Sequence, residues 1–237
     1  MAAEFLRDGH DVTVFDSLTR PGVERNLEWL ESRAPTGRLG FVRGDVRDAD
    51  LVRSLVGARG VDLVFHFAAQ FRTEDQGWVA HFMLTAAARR PLTIYGNGKQ
   101  ARDLLFVEDL VRAFRLAARH IDKTAGNVYN VGGGPANSVS IWHELRPRLE
   151  RFAAGAIAAQ IQGWRPGDQP VYVSDTRKAY RDFGWKPRVG LDEGLRRLWG
   201  WALELTDGRA QLAISRQPNP LELTMPQADI AFAGPSA

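Results

Sequence analysis

The stretch DVTVFD, Asp11–Asp16, is a β-branched, apolar run that stops on an acidic residue. A short run of this kind has no helical period and reads as a strand buried on both faces, the type found in parallel sheets. Upstream of it, Met1–Gly9 reads as the second half of an amphipathic helix, with Gly9 placed to take the left-handed conformation after the last turn. Downstream, Glu24–Arg33 reads as a helix with Leu27 and Leu30 on one face. Leu39–Val42 reads as a second strand closed by Gly44-Asp45, and Asp48 as the cap of a helix running to Val56. Val61–Phe67, VDLVFHF, reads as a third strand that stops at Ala68-Ala69. Strands separated by helical segments of this length predict an α/β fold, a doubly wound parallel sheet of the Rossmann type.

The character changes after Gln70. Gly77–Arg89 reads as a helix, Leu92–Tyr95 as a strand, and Gly96-Asn97-Gly98 as a turn. Leu110, Phe114, Ala117 and Ala118 fall at helical spacing. Asn127–Val131 reads as a strand running into Gly132-Gly133-Gly134, and Ile141–Phe152 and Leu191–Leu205 as helices. From Asp207 the pattern dissolves into a segment containing Pro218, Pro220, Pro226 and Pro235, which reads as a loose tail. The expected organisation is therefore a partial cofactor-binding half over 1–70, a substrate region over 71–206 that includes the remaining Rossmann elements, and a disordered tail over 207–237.

Composition narrows the function classes. The 237 residues carry 31 basic and 28 acidic side chains, a net charge of +3, and the basic residues are scattered. That balance does not point to nucleic acid. With no cysteine, disulfides and thiol catalysis are excluded, and a reducing cytoplasm is compatible. No apolar run approaches the roughly 20 residues that span a bilayer. The expectation is a cytoplasmic protein without nucleic-acid or membrane partners. The five histidines show no metal-ligand spacing, so no metal site is expected, and His66, inside the VDLVFHF run, reads as a packed core residue.

Ligand-binding positions in doubly wound folds lie at the carboxyl ends of the strands. Asp16 ends the first strand and is placed to accept the hydroxyls of an adenosine ribose; the alternative is a turn or capping aspartate. Asp45-Val46 follows the second strand and is placed against an adenine. Phe67-Ala68-Ala69 ends the third with small residues that allow close approach. Farther along, Arg102 in GKQARD and Arg165 in WRPGD sit among small residues; a guanidinium forks onto phosphate oxygens and stays charged in a closed site. Thr93 and Tyr95 alternate along a short strand whose backbone is placed to read a nucleobase edge, or which is simply a sheet edge. Tyr95-Gly-Asn-Gly-Lys99 spells Tyr-x-x-x-Lys, but a catalytic pair at that spacing needs a helix to bring both side chains to one face. Gly96-Asn97-Gly98 would not hold one.

These segments carry a resemblance. VFDSLTRPG (Val14–Gly22), FVRGDVRD (Phe41–Asp48), VFHFAAQ (Val64–Gln70), IYGNGKQARDLLFVEDL (Ile94–Leu110), VYNVGGGPANSVS (Val128–Ser140) and RPGDQPVYVSDTRKA (Arg165–Ala179) match, in order, the extended short-chain dehydrogenase/reductases. More narrowly, the chain is similar to the NAD-dependent epimerase/dehydratases of nucleotide sugars. DQGWV (Asp75–Val79), followed by YGNGKQARD, is most like the branch acting at C2 of CDP-linked dideoxyhexoses. The resemblance implies NAD held by Asp16, Ser17, Leu18, Asp45, Val46, Phe67, Ala68 and Ala69. It implies a CDP- or UDP-linked sugar held by Thr93, Tyr95, Arg102, Arg165 and Asp168. It also implies a strand and glycine-rich turn ahead of Met1, and further elements with the catalytic Tyr-x-x-x-Lys between Gln70 and Phe71. No catalytic residue is assigned in this chain. The missing first strand would lie between Asp11–Phe15 and Val61–Phe67, so exposed apolar faces or open edges are expected there. Homodimerisation or pairing with a full-length homologue is a further expectation.

Overall fold

A computed structural model of the chain describes residues 1–19, 22–58, 60–67 and 77–206. Its first elements are α1 (Ala2–Arg7), β1 (Val12–Asp16), α2 (Val23–Glu31), β2 (Leu39–Arg43) and α3 (Ala49–Ala58). β1 and β2 form a parallel pair in register from Val12 opposite Leu39 to Asp16 opposite Arg43. Gly9 closes α1 in the left-handed region (φ 88°), which lets the chain reverse into β1. Asp48 accepts the amide of Leu51 at 3.0 Å and so caps α3 as the sequence predicts.

Packing in this part is thin. Among the described residues up to 67, Leu6 and Leu30 are the buried apolar side chains. Val61–Phe67 is not a strand, contrary to the sequence expectation; it has no regular secondary structure and lies outside every ladder. A strand persists only where a neighbour takes its amides and carbonyls, and no strand among the described residues lies beside it. Val64 is 60% exposed and Phe67 55%, and His66 is exposed rather than packed in a core. The expected open apolar face is thus present. What holds the segment is aromatic contact. Phe65 lies 5.2 Å from Phe5 and 5.8 Å from Phe114, and Phe67 meets Phe114 edge-on at 5.2 Å.

The chain continues through α4 (Trp78–Ala87), β3 (Leu92–Tyr95), β4 (Ala101–Asp103), α5 (Val107–Arg119), α6 (Ile121–Thr124), β5 (Ser138–Ser140), α7 (Leu145–Ala153), β6 (Ala159–Gln162), β7 (Val171–Tyr172), α8 (Arg177–Phe183) and α9 (Leu191–Glu204). β3 pairs in parallel with β6. β4 is central in a second small sheet, antiparallel to β5 and parallel to β7. Asn127–Val131 forms no strand either. Its Val128 is 83% exposed, and Lys178 Nζ donates to the Asn127 side chain and the Val128 carbonyl at 3.0 and 3.1 Å. A side-chain ammonium has replaced a ladder partner, while Tyr129 and Val131 pack inward.

Two cores hold this part together. Phe82, Met83 and Ala86 of α4, Leu92 and Ile94 of β3, Val139, Trp142, Leu145 and Leu149, Ile157, and Leu195 and Ala202 of α9 form the larger. Fully burying a Leu, Ile or Met contributes about 1.5–3 kcal/mol each, so this cluster dominates the stability. The smaller joins Ala113 of α5 to Ala179, Phe183 and the wholly buried Trp185. The Trp185 indole donates to the Asp109 carbonyl at 3.0 Å, which supplies the partner a buried indole requires. No helix among the described residues is long and apolar enough to cross a membrane.

Candidate functional site

Arg102 lies at the centre of the β4 sheet, opposite Val139 on one side and Tyr172 on the other. Its Nη2 donates to Asp168 Oδ1 at 2.8 Å and its Nη1 to the Ala101 carbonyl at 2.9 Å. Both members of the Arg102–Asp168 pair are about one-quarter exposed or less. The second Asp168 oxygen accepts from Gln100 Nε2 at 3.3 Å, and the same amide donates to the Tyr95 carbonyl at 2.7 Å. Gln100 is 1% exposed, so β3, β4 and the β6–β7 loop are cross-linked at one buried amide. The Arg165 guanidinium lies 3.9 Å from the centre of the Tyr95 ring, a cation–π contact. Leu92 and Ile94 point into the core while Thr93 and Tyr95 face the other way. The structure therefore brings Tyr95, Arg102, Arg165 and Asp168 to one place, with Thr93 on the same strand face as Tyr95.

The Gly96–Gly98 turn makes this possible. Both glycines are left-handed (φ 77° and 72°), and a Cβ on either would run into a neighbour, Gln100 and Trp164 at Gly96 and Trp142 at Gly98. The turn also settles the Tyr95/Lys99 spacing. Lys99 donates its amide to Asn97 Oδ1 at 3.0 Å inside the turn, so the two side chains share no helix face.

Three polar groups of this region, two of them buried, escaped the sequence reading. Gln100 is one; its Oε1 has no partner among the described residues. Asp103 is the second; its Oδ2 accepts the amides of Gly134 and Ser174 at 2.8 and 3.1 Å, tying the glycine run to the loop after β7. Asp109 is the third and is 2% exposed. Its Oδ2 accepts the amides of Arg188 and Val189, each at 2.8 Å, and its Oδ1 accepts from Arg112 at 2.8 Å. Burial works to raise its pKa, but the Arg112 guanidinium and the two amides outweigh it and hold the carboxyl below its ordinary value. The available signal was charged residues inside the otherwise apolar run RDLLFVED, where a buried carboxylate must find donors.

The second constellation lies at the carboxyl end of the β1–β2 pair. Gly44 donates to the Asp16 carbonyl at 3.1 Å, bringing the two strand ends together. The exposed Asp16 carboxylate accepts the Leu18 amide at 2.8 Å, and Leu18 is left-handed (φ 53°). Ser17 Oγ lies 3.1 Å from Thr19 Oγ1. Asp45 forks onto Arg47, with Oδ2–Nη2 at 2.6 Å and Oδ1–Nε at 3.0 Å. The side-chain bond to Arg47, assisted by its amide, lowers the Asp45 pKa to about 2. Val46 is 44% exposed. Phe67 stands against Phe114 rather than at a strand end, and Ala68 and Ala69 lie outside the described residues. The fold family implies NAD. Asp16, with the loop it folds, fits the ribose end of such a dinucleotide, because its carboxylate is exposed beside paired parallel strand ends. Asp45 already has a guanidinium partner and fits less directly. Among the described residues no group of three or more His, Cys, Asp or Glu side chains is placed to hold a metal ion.

Comparison with known proteins agrees with this architecture. Residues 77–198 match a family model described as GDP-mannose 4,6 dehydratase, and residues 1–76 one described as NAD dependent epimerase/dehydratase family. CDP-paratose 2-epimerase from Salmonella typhi is 36% identical over 137 residues, covering 56% of this chain and 40% of that one. UDP-glucose 4-epimerase 2 from Arabidopsis thaliana is 36% identical over 126 residues, covering 49% and 35%. The chain thus spans well under half the length of these relatives. A UDP-glucose 4-epimerase from Stenotrophomonas maltophila, solved with bound NAD and formylated UDP-arabinopyranose, shares the fold with a TM-score of 0.71. It is 18% identical, and the match covers 87% of this chain and 94% of that one.

Proposed function

Since this chain belongs to the NAD-dependent epimerase/dehydratase family of nucleotide-sugar enzymes, we propose that Arg102 and Arg165 hold the diphosphate of a CDP- or UDP-linked sugar. The observation that carries this reading is the convergence of Arg102, Asp168 and Gln100 beside the Arg165–Tyr95 stack. A guanidinium has five donors. Arg102 spends Nη1 on the Ala101 carbonyl and Nη2 on Asp168, so it keeps donors for phosphate oxygens while held in place. Thr93 and Tyr95, on the strand face turned away from the core, border the nucleobase.

Within the family, the activity proposed by resemblance is that of a CDP-paratose 2-epimerase, inversion at C2 through a keto intermediate. NAD is the redox group of such chemistry, and the proposed cofactor contacts in this chain are Asp16, Ser17, Leu18, Asp45, Val46 and Phe67, with Ala68 and Ala69 beyond the described residues. In this arrangement residues 1–70 form the cofactor half and 71–206 the sugar-nucleotide region. A second reading is binding without turnover, alone or beside a full-length homologue. It is favoured by the Gly96–Gly98 turn, which keeps Tyr95 and Lys99 off a common helix face.

Thermal melts with CDP, UDP and NAD test the assignment. A nucleoside diphosphate raises the melting temperature, and Arg165→Ala removes the shift. No shift with either nucleotide overturns it. Epimerase activity that Tyr95→Phe abolishes would overturn the reading of binding without turnover.

A further inference from the structure

Away from both constellations, Arg112, Arg115 and Arg119 of α5 and Arg188 of the α8–α9 loop line one cavity of about 240 Å³, with Leu116 between them. The helical positions follow from spacing: residues three, four and seven apart share a face. The four guanidiniums are not equivalent. Arg112 is fixed by Asp109 at 2.8 Å, by the Lys186 carbonyl and by the Trp185 ring. Arg115 is fixed by Glu4 at 3.3 Å and by Asp8. Arg119 and Arg188 are exposed, and their side chains have no ion pair or hydrogen bond among the described residues.

Two anchored and two unpaired guanidiniums around one concavity form an arrangement whose charge is incompletely balanced from within the chain. Three carboxylates, Asp109, Glu4 and Asp8, pair with its two anchored arginines, and Arg7 claims part of Glu4 at 2.7 Å. We propose that this cavity is an anion site that takes a phosphate group from a free phosphorylated small molecule. The anchored pair presents charge without further ordering, and the unpaired pair closes onto the oxygens. Arginine suits this role because its planar fork matches phosphate and stays charged. A cavity of this size holds a tetrahedral oxyanion with accompanying waters, each of which occupies about 30 Å³. The proposal does not depend on the diphosphate clamp, from which it differs in every residue.

The test is a titration of the whole chain with inorganic phosphate and pyrophosphate at low ionic strength, read by calorimetry and by the shift in melting temperature. The variants are Arg119→Ala/Arg188→Ala and, separately, Arg102→Ala. The double variant removes side chains that hold nothing else, so its melt without ligand stays at the wild-type position. Binding that weakens about tenfold or more in the double variant and survives Arg102→Ala supports the site. Binding lost only in Arg102→Ala overturns it, as does no binding at all. Capture by phosphatidic acid vesicles with no response to inorganic phosphate also overturns it, since the ligand would then be a membrane.

Discussion

Arg102 and Asp168, 66 residues apart in the chain, meet at 2.8 Å and are joined through Gln100 to the end of β3. The pair explains how two short sheets with separate ladders are tied together at the proposed ligand site. Replacing Asp168 by alanine leaves Arg102 and the buried Gln100 amide short of an acceptor. The expected cost is roughly 1–2 kcal/mol, seen as a lower urea midpoint. Nucleoside-diphosphate affinity falls as well, because Arg102 is no longer held in place. An unchanged midpoint and affinity would separate the pair from the site.

Asp109 gives a pH-dependent prediction. Its carboxyl lies below its ordinary pKa in the folded chain, against an unfolded value of about 3.9. A carboxylate shifted in that direction adds stability above the unfolded pKa and loses it as pH falls through the folded value. Asp109→Asn places an amide N–H₂ among the donors from Arg112, Arg188 and Val189 and costs roughly 2–3 kcal/mol at pH 7. Urea midpoints at pH 7, 5 and 3 should show the gap between wild type and variant holding at pH 5 and narrowing at pH 3. A constant gap means that the Asp109 charge is not what the site uses.

Gly133 is packed so that a Cβ would fall on the Leu104 carbonyl and against Asn137. Backbone cannot swing aside as a side chain can. Gly133→Ala is therefore expected to destabilise by about 2–4 kcal/mol, with the loss seen in the amide protection of β4 and β5. Gly134→Ala meets no neighbour but sits at φ 67° and ψ −174°, so its cost, about 1–3 kcal/mol, measures backbone strain alone.

The exposed run Val61–Phe67 predicts a liability. A hydrophobic dye should bind the native chain, and Val64→Lys should lower both dye signal and light scattering without moving the melt. Val64 is 60% exposed and has no ladder to lose. A sharp melt with negligible dye binding in the wild type rules the idea out.

Much of the fold was legible because it rests on local chemistry. β1, β2 and β3 fall within a residue of where the β-branched runs place them, Asp48 caps α3, and α9 carries its apolar stripe at helical spacing. Val61–Phe67 and Asn127–Val131 show the limit of that reading, since composition gives the propensity to extend but a ladder needs a neighbour. The strands β4 to β7, two to four residues each, are too short to show a period.

The candidate site divides the same way. The sequence by itself determined that Arg102 and Arg165 are forked cations beside small residues, that Gly96–Gly98 must turn, and that Tyr95 and Lys99 share no helix. Only the tertiary structure decided what each charge meets: Asp168 for Arg102, the Tyr95 ring for Arg165, Arg47 for Asp45, and two backbone amides for the buried Asp109. The reason is range. Turn and helix preferences act between near neighbours along the chain, whereas the partner of a buried or half-buried charge is chosen by which distant segments the core brings within hydrogen-bond reach.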